Sequence, residues 1–224
     1  MTKAAPKAPD TREKLLNAGA RVFALYGYEG ASTRQLAKEA GVNISAILYY
    51  FNGKEGYYAA VLDHIATMAQ SVLGGPATAI RAALAEGGLK DAQYLDLLHG
   101  FLAALTRFLL SDKATADLGR IFIREQMDPT PAFDHLYEKT LRPMHEMLTA
   151  LVAKATGLSP GTDAVLCTQM LVGQCVFFKT HREVALRGTG WKNFGAKETE
   201  KILSHLRLNT EVVIRAHKRE GKNR

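Results

Sequence analysis

Residues 32–41, STRQLAKEAG, carry their own start and stop signals and constrain the fold more tightly than any other stretch. Ser32 followed three positions later by Gln35 is a capping box, in which each side chain satisfies a backbone N–H that a helix start leaves unpaired. Leu36, Ala37 and Ala40 then form an apolar edge, and the small Ala37 lets a second helix approach closely. Gly41 follows directly, suited to the left-handed conformation that ends a helix and turns the chain. Beyond it Asn43 can cap a second helix near 44–50, while Val42 and Ile47 supply apolar contacts across the turn. Two short helices joined in this way cross at about 90–120°, a helix-turn-helix corner. Any helical hairpin could use such a glycine, so the spacing alone leaves a purely structural corner open.

Helical periodicity continues through the rest of the chain with no alternating strand pattern, which predicts an all-α fold. A first helix over 11–26 places Leu15, Gly19, Val22 and Tyr26 on one face, with Leu16, Ala20 and Phe23 beside it, and Gly27 stops it. A long fourth helix is expected over 54–73, ended by Gly74-Gly75-Pro76 because the residue before proline resists the α region. After a break at Gly87-Gly88, helices are expected over 91–110, 116–127, 131–156, 163–187 and 197–218. Thr130-Pro131 reads as an N-cap followed by proline at the first helical position. Pro143 should kink or split the helix that contains it.

At 224 residues the chain can bury a substantial core without staples. Its two cysteines, Cys167 and Cys175, lie eight residues apart on one expected helix. That separation is roughly 12 Å of rise, beyond disulfide reach, so both are expected as small buried apolar groups. The net charge of +7 is concentrated at the ends: 61–214 is balanced, 1–60 holds eight Lys/Arg against five Asp/Glu, and 215–224 holds five against one. A basic N-terminal part suits a polyanion partner, and the basic end is expected as a solvated tail. No segment offers the ~18 apolar residues of a membrane span, and MTKAAPKAPD has no apolar run for a signal sequence, so a cytoplasmic protein without membrane attachment is expected. His64, His99, His135, His145, His181, His205 and His217 show no paired-ligand spacing, and there is no CxxC, GxSxG or phosphate loop. Neither a catalytic set nor a metal site nor a cofactor is expected.

The segment TREKLLNAGARVFALYGYEGASTRQLAKEAGVNISAILYYFNGKEGYYAAVL resembles the N-terminal region of the TetR family of bacterial transcriptional regulators at matching spacing. Its form VNISAILYYFNGKEGYY, with the later FIREQMDPTPAF, LYEKTLRPMHEML and FFKTHREVALRGTGW, is similar to the CecR-like branch. The resemblance implies a three-helix helix-turn-helix DNA-binding domain over 11–56 and a larger helical ligand-binding and dimerisation domain over 57–218. Residues 1–10 and 219–224 are left as tails. It further implies a ligand-responsive regulator, a repressor that binds a palindromic operator in double-stranded DNA as a homodimer and is released by a small apolar effector. A helical adaptor that has lost DNA binding is the alternative, and a helical enzyme would need convergent titratable groups that the chain does not show.

On that resemblance the second helix of the corner enters the major groove and must present compact or polar side chains. Asn43, Ile44, Ser45 and Ala46 fit, since Asn can bond to base edges and an Ala methyl can touch a thymine methyl. Asn43 could instead only cap its helix. Tyr49, Tyr50 and Lys54 suit phosphate contacts. Positions 49 and 54 match the family's backbone-contacting positions, whereas position 50, often histidine there, is tyrosine here and brings no charge. Thr33 and Arg34 open the preceding helix beside the groove.

The stripe Leu166, Met170, Gly173, Phe177 and Val184, with Ile202, Leu206 and Val213 on the last helix, is expected to form a dimer interface, where members of the family pair. Phe101, Phe108, Phe122, Arg124, Met127, Tyr137, His145, Phe178 and His181 are the candidate effector-binding residues, apolar groups interspersed with a few polar ones. The buried polar pair expected there, Arg124 and His181, would need a partner that a ligand could supply.

Overall fold

A computed structural model describes residues 10–111 and 116–222; most of the predicted N-terminal tail and the last two residues lie outside this range. Its helices are α1 (Thr11–Gly30), α2 (Thr33–Ala40), α3 (Ser45–Phe51), α4 (Lys54–Glu86), α5 (Asp91–Leu110) and α6 (Ala116–Met127). There follow α7 (Phe133–Leu136), a π-helical turn (Tyr137–Leu141), α8 (Arg142–Thr156), α9 (Thr162–Thr180), α10 (Arg182–Thr189) and α11 (Ala196–Lys222). No strand occurs among the described residues, so the fold is all-α. The described residues form two compact units, 10–67 with 116–137 and 68–111 with 138–222.

The first unit is organised around α1. Leu15, Leu16, Val22 and Phe23 are buried, and Phe23 meets the rings of Tyr57 and Tyr58 edge-on at 5.8 and 4.8 Å. Gly19 permits this approach, because a Cβ there would lie 2.8 Å from Val61 Cγ2 and 2.9 Å from the Tyr57 ring. Phe51 stacks on Tyr57 at 4.5 Å, and the Tyr57 hydroxyl donates to the Leu15 carbonyl. Gly27 breaks the helical geometry (φ 72°, ψ 178°), yet one more turn follows to Gly30, and Tyr26, predicted on the inner face, is exposed. In the same unit α6 packs on α1, and its Ile121 and Glu125 are buried.

The second unit buries a stripe of α5, Tyr94, Leu98, Phe101, Leu105 and Leu109, against α8, α9 and α11. Both cysteines are free and buried there. Burial raises both thiols, that of Cys175 to about 11. α5 and α11 run in opposite senses, linked by Arg107–Glu200 at 2.9 Å, Arg207–Asp96 at 3.9 Å and Lys218–Asp91. Exposed pairs of this kind contribute about 0–1 kcal/mol each, so they set register more than stability.

Three expectations about helix ends need correction. α4 does not stop at Gly74-Gly75-Pro76 but continues to Glu86. Leu73, Ala77 and Ile80 are buried at helical spacing and hold the chain in register across the proline, while Val72, whose carbonyl loses its N–H partner, is exposed to solvent. The end of α4 falls instead at Gly87 and Gly88, both at positive φ, where the second break was expected. The helix expected to start at Pro131 begins instead at Phe133: Thr130 Oγ1 accepts from the Ala132 N–H at 3.2 Å in the turn before it, while the Thr130 N–H and hydroxyl both donate to Glu125 Oε1, at 2.9 and 2.8 Å. The helix expected over 131–156 is split near Pro143, as that proline implied: a π-helical turn interrupts it, and Pro143 falls in the first turn of α8, where its missing N–H costs nothing. The helix expected over 163–187 breaks at His181 (φ −111°, ψ 36°). There the Thr180 hydroxyl bonds back to the Val176 carbonyl at 3.2 Å and meets His181 Nδ1 at 2.8 Å, a local competition that favours a helix end.

Candidate nucleic-acid interface

The capping box at the start of α2 is complete: the Gln35 N–H donates to Ser32 Oγ at 3.2 Å, and the Ser32 N–H donates to Gln35 Oε1 at 2.9 Å. Its end is closed by the Gly41 N–H to the Lys38 carbonyl and the Val42 N–H to the Ala37 carbonyl, at 3.1 and 3.0 Å. This paired arrangement requires the left-handed Gly41 (φ 66°, ψ 34°) and redirects the chain into α3. Asn43 Oδ1 accepts from the Ser45 N–H and from the Ser45 hydroxyl, both at 3.0 Å, and so organises the start of α3. Ile47 and Phe51, four apart, turn inward. Asn52 in the left-handed region (φ 58°) ends α3, and α4 begins two residues later.

With that inner face fixed, Asn43, Ile44, Ser45, Tyr49 and Tyr50 are exposed, Ala46 is half-buried, and Tyr49 is 83% exposed. The rings of Tyr49 and Tyr50 meet edge-on at 5.0 Å. Leu48, which sequence reasoning passed over, is 65% exposed on the same helix. Its signal was available, since the Ile47/Phe51 spacing leaves position 48 off the buried face. On α2 Thr33 is half-buried and Arg34 exposed, with an exposed Lys38 one turn further on. Lys54 Nζ lies 4.5 Å from the centre of the Tyr28 ring and donates to the Glu29 carbonyl at 3.4 Å, which fixes its charge at the end of α1 and leaves other N–H donors for an anion.

The nine candidate effector residues are divided between the two units. Phe122, Arg124, Met127 and Tyr137 belong to the first unit and the other five to the second. Arg124 Nη1 donates to the Phe23 carbonyl at 3.4 Å. Met127 and Tyr137 are exposed, and Tyr137 stacks on Phe133 at 6.0 Å. Phe101 is fully packed in the core, Phe108 and His145 are half-buried, and Phe178 meets Phe194 at 6.1 Å. His181, expected to be buried and unpaired, is exposed, stacked on Phe177 at 4.8 Å and bonded to Thr180. A cavity of about 420 Å³ in the second unit lies instead between α5 and α11, lined by His99, Gly100, Ala103, Arg107, Ser204 and Arg207 among others, and none of the nine lines it. Both ring nitrogens of His99 are buried there; the Arg207 backbone is close but outside hydrogen-bond geometry. Gly100 opens this space, with no atom within 4 Å of where its Cβ would be.

Of the expected dimer residues, Leu166, Met170, Gly173 and Phe177 form an exposed row on α9, with Val184 exposed on α10. Ile202 and Leu206 do not join them: at 3% and 6% exposure they belong to the unit's own core, and Val213 is half-buried. The exposed apolar side of α11 is Leu208 and Val212.

Two short helices at a glycine corner, with the second held by its inner face and bare on its outer one, define a helix-turn-helix DNA-binding protein of the bacterial regulator type. Residues 15–61 match the family described as bacterial regulatory proteins, tetR family, and residues 95–217 match the C-terminal domain of the HTH-type transcriptional dual regulator CecR. The CecR protein of Shigella flexneri is 30% identical over 209 residues, 93% of each chain. The chain belongs to the TetR family of transcriptional regulators, with a CecR-type C-terminal domain. The HTH-type transcriptional repressor AcnR of Corynebacterium glutamicum is 36% identical over 70 residues, 31% of this chain and 37% of its own. Among solved structures, AibR in complex with isovaleryl coenzyme A and operator DNA shares the fold with a TM-score of 0.64 at 12% identity, covering 88% of this chain and 96% of that one. Mycobacterium smegmatis AmtR does so at 0.62 and 17%, covering 93% and 89%. These relatives are regulators of transcription, not enzymes. Among the described residues, no helix is long and apolar enough to cross a membrane, and no His, Cys, Asp and Glu cluster could hold a metal ion.

Proposed function

We propose that the chain is a cytoplasmic repressor that binds a palindromic operator as a homodimer and releases it when a small effector binds. Residues 11–56 read DNA in this scheme and 57–218 carry the effector and the partner subunit. The observation that carries it is the exposed apolar row Leu166, Met170, Gly173 and Phe177 on α9. A single helix-turn-helix unit reads few base pairs, and a twofold pair reads two half-sites about one helical turn apart. A self-complementary helix face supplies that twofold axis. Met170, 68% exposed, would be its most costly residue to leave in water.

The effector site in this scheme is the α5/α11 cavity. Its volume falls within the usual 300–1,000 Å³ range, and the buried His99 nitrogens, with Arg107 and Arg207 in the lining, favour a ligand that carries polar groups. The effector acts only through its differential affinity for the DNA-binding and released states. AibR, which shares the fold, holds isovaleryl coenzyme A and operator DNA in one complex, which supports separate effector and DNA sites on a protein of this fold. The dual-regulator description of the S. flexneri relative favours a second reading, in which the same head also activates at some promoters. A mobility shift on the DNA upstream of the chain's own reading frame, with the mass in solution, tests the proposal. A dimer retarding that duplex is expected; a lone subunit with no preference among duplexes would leave the adaptor alternative.

A further inference from the structure

On the premise that α3 enters a duplex, we infer that Leu48, with Ile44 beside it, reads the operator through thymine 5-methyl groups. The polar groups assigned to base readout are partly engaged within the protein: Asn43 Oδ1 accepts from both the Ser45 N–H and the Ser45 hydroxyl, at 3.0 Å each. The acceptor of one and the donor of the other are therefore committed to starting α3. What α3 leaves bare is mostly hydrocarbon. Ile44 and Leu48 are one helical turn apart, 49% and 65% exposed, and flank Ser45 and Tyr49. Ile47 and Phe51, buried at the next positions, fix the helix so that neither aliphatic chain can turn into the core without unpacking that face. Flat exposed aliphatic groups gain nothing in water, whereas the major groove offers an apolar partner of matching size on one base, the methyl of thymine. Charged contacts are supplied by other elements, Arg34 and Lys38 on α2 and Lys54 at the start of α4, so α3 is free to discriminate by shape. The half-site this selects has thymine where Leu48 and Ile44 face it.

The test uses the full-length protein. A duplex is selected from a random library, then resynthesised with deoxyuridine in place of thymidine at one position at a time, which removes only the methyl. One or two positions per half-site are expected to weaken binding about fourfold, the effect of removing one buried apolar carbon. In Leu48→Ala that loss should shrink or vanish at one of those positions, while circular dichroism remains unchanged because position 48 is exposed. Equal affinity for every deoxyuridine duplex overturns the inference while leaving a DNA-binding regulator intact. An undiminished methyl effect at every position in both Leu48→Ala and Ile44→Ala also overturns it. Failure to select any duplex removes the regulator reading, and this inference with it.

Discussion

The Tyr58 hydroxyl donates to Glu125 Oε2 at 2.6 Å, joining α4 and α6 through a carboxylate with no solvent exposure. The other carboxylate oxygen accepts from the Thr130 N–H and hydroxyl, so every donor aimed at Glu125 comes from the first unit. Burial raises the Tyr58 phenol, and its bond to the Glu125 carboxylate raises it further. Glu125→Ala leaves one buried and two half-buried donors without their acceptor and should lower stability by about 3 kcal/mol, against about 1–2 kcal/mol for Tyr58→Phe, which leaves the carboxylate two of its partners. Urea unfolding of both variants and of the double variant checks the order. A cost for Glu125→Ala no larger than for Tyr58→Phe would show that the network does not act as a unit.

Lys54 is held beside the Tyr28 ring and the Glu29 carbonyl, which limits the entropy it would lose on meeting a phosphate. Lys54→Ala should weaken binding to all duplexes alike and lower the slope of log K against log salt by about 0.9, one phosphate's worth of released counterion. An unchanged slope would take Lys54 off the list of contacts.

Met170 and Ile202 were expected on one interface, yet one is exposed and the other is core. Met170→Glu should give single subunits at micromolar concentration with helical content intact, because a charge on an apolar face opposes association without touching the core. Ile202→Ala should instead cost about 2–4 kcal/mol of folding stability and leave the assembly state unchanged in the folded fraction. Sedimentation and denaturant titration separate the two effects, and a dimeric Met170→Glu would displace the interface from α9.

Burial holds the His145 imidazole below its ordinary value. The unfolded chain therefore binds that proton more readily than the folded one. The resulting stability is fully present above the ordinary histidine value of about 6.5 and is lost as pH falls from there through the folded value. The urea midpoint should thus drop on acidification from pH 7 to pH 5, and the drop should be smaller in His145→Gln. His99, also lowered by burial and by the Arg207 guanidinium against the opposing pull of Glu211 and Asp96, adds to the wild-type drop and persists in the variant. An equal drop in both proteins would mean that His145 titrates alike in the folded and unfolded chains.

Signals that act within one or two turns were legible in the sequence. The Ser32/Gln35 box, the left-handed Gly41, the break at Gly87-Gly88 and the span of α5 all follow from backbone requirements met by neighbours along the chain. Tertiary packing decided what local chemistry leaves degenerate. α4 crosses Pro76 because burying Leu73, Ala77 and Ile80 outweighs one lost hydrogen bond, a comparison that requires knowing what lies over that face. Periodicity gave α11 apolar positions but not their cover, so Ile202 and Leu206 went to the core while Leu208 and Val212 stayed outside. Glu125 reads as an ordinary surface glutamate until Tyr58, 67 residues away in sequence, is brought against it. A chain writes its turns residue by residue; which faces end in water depends on the elements that fold over them.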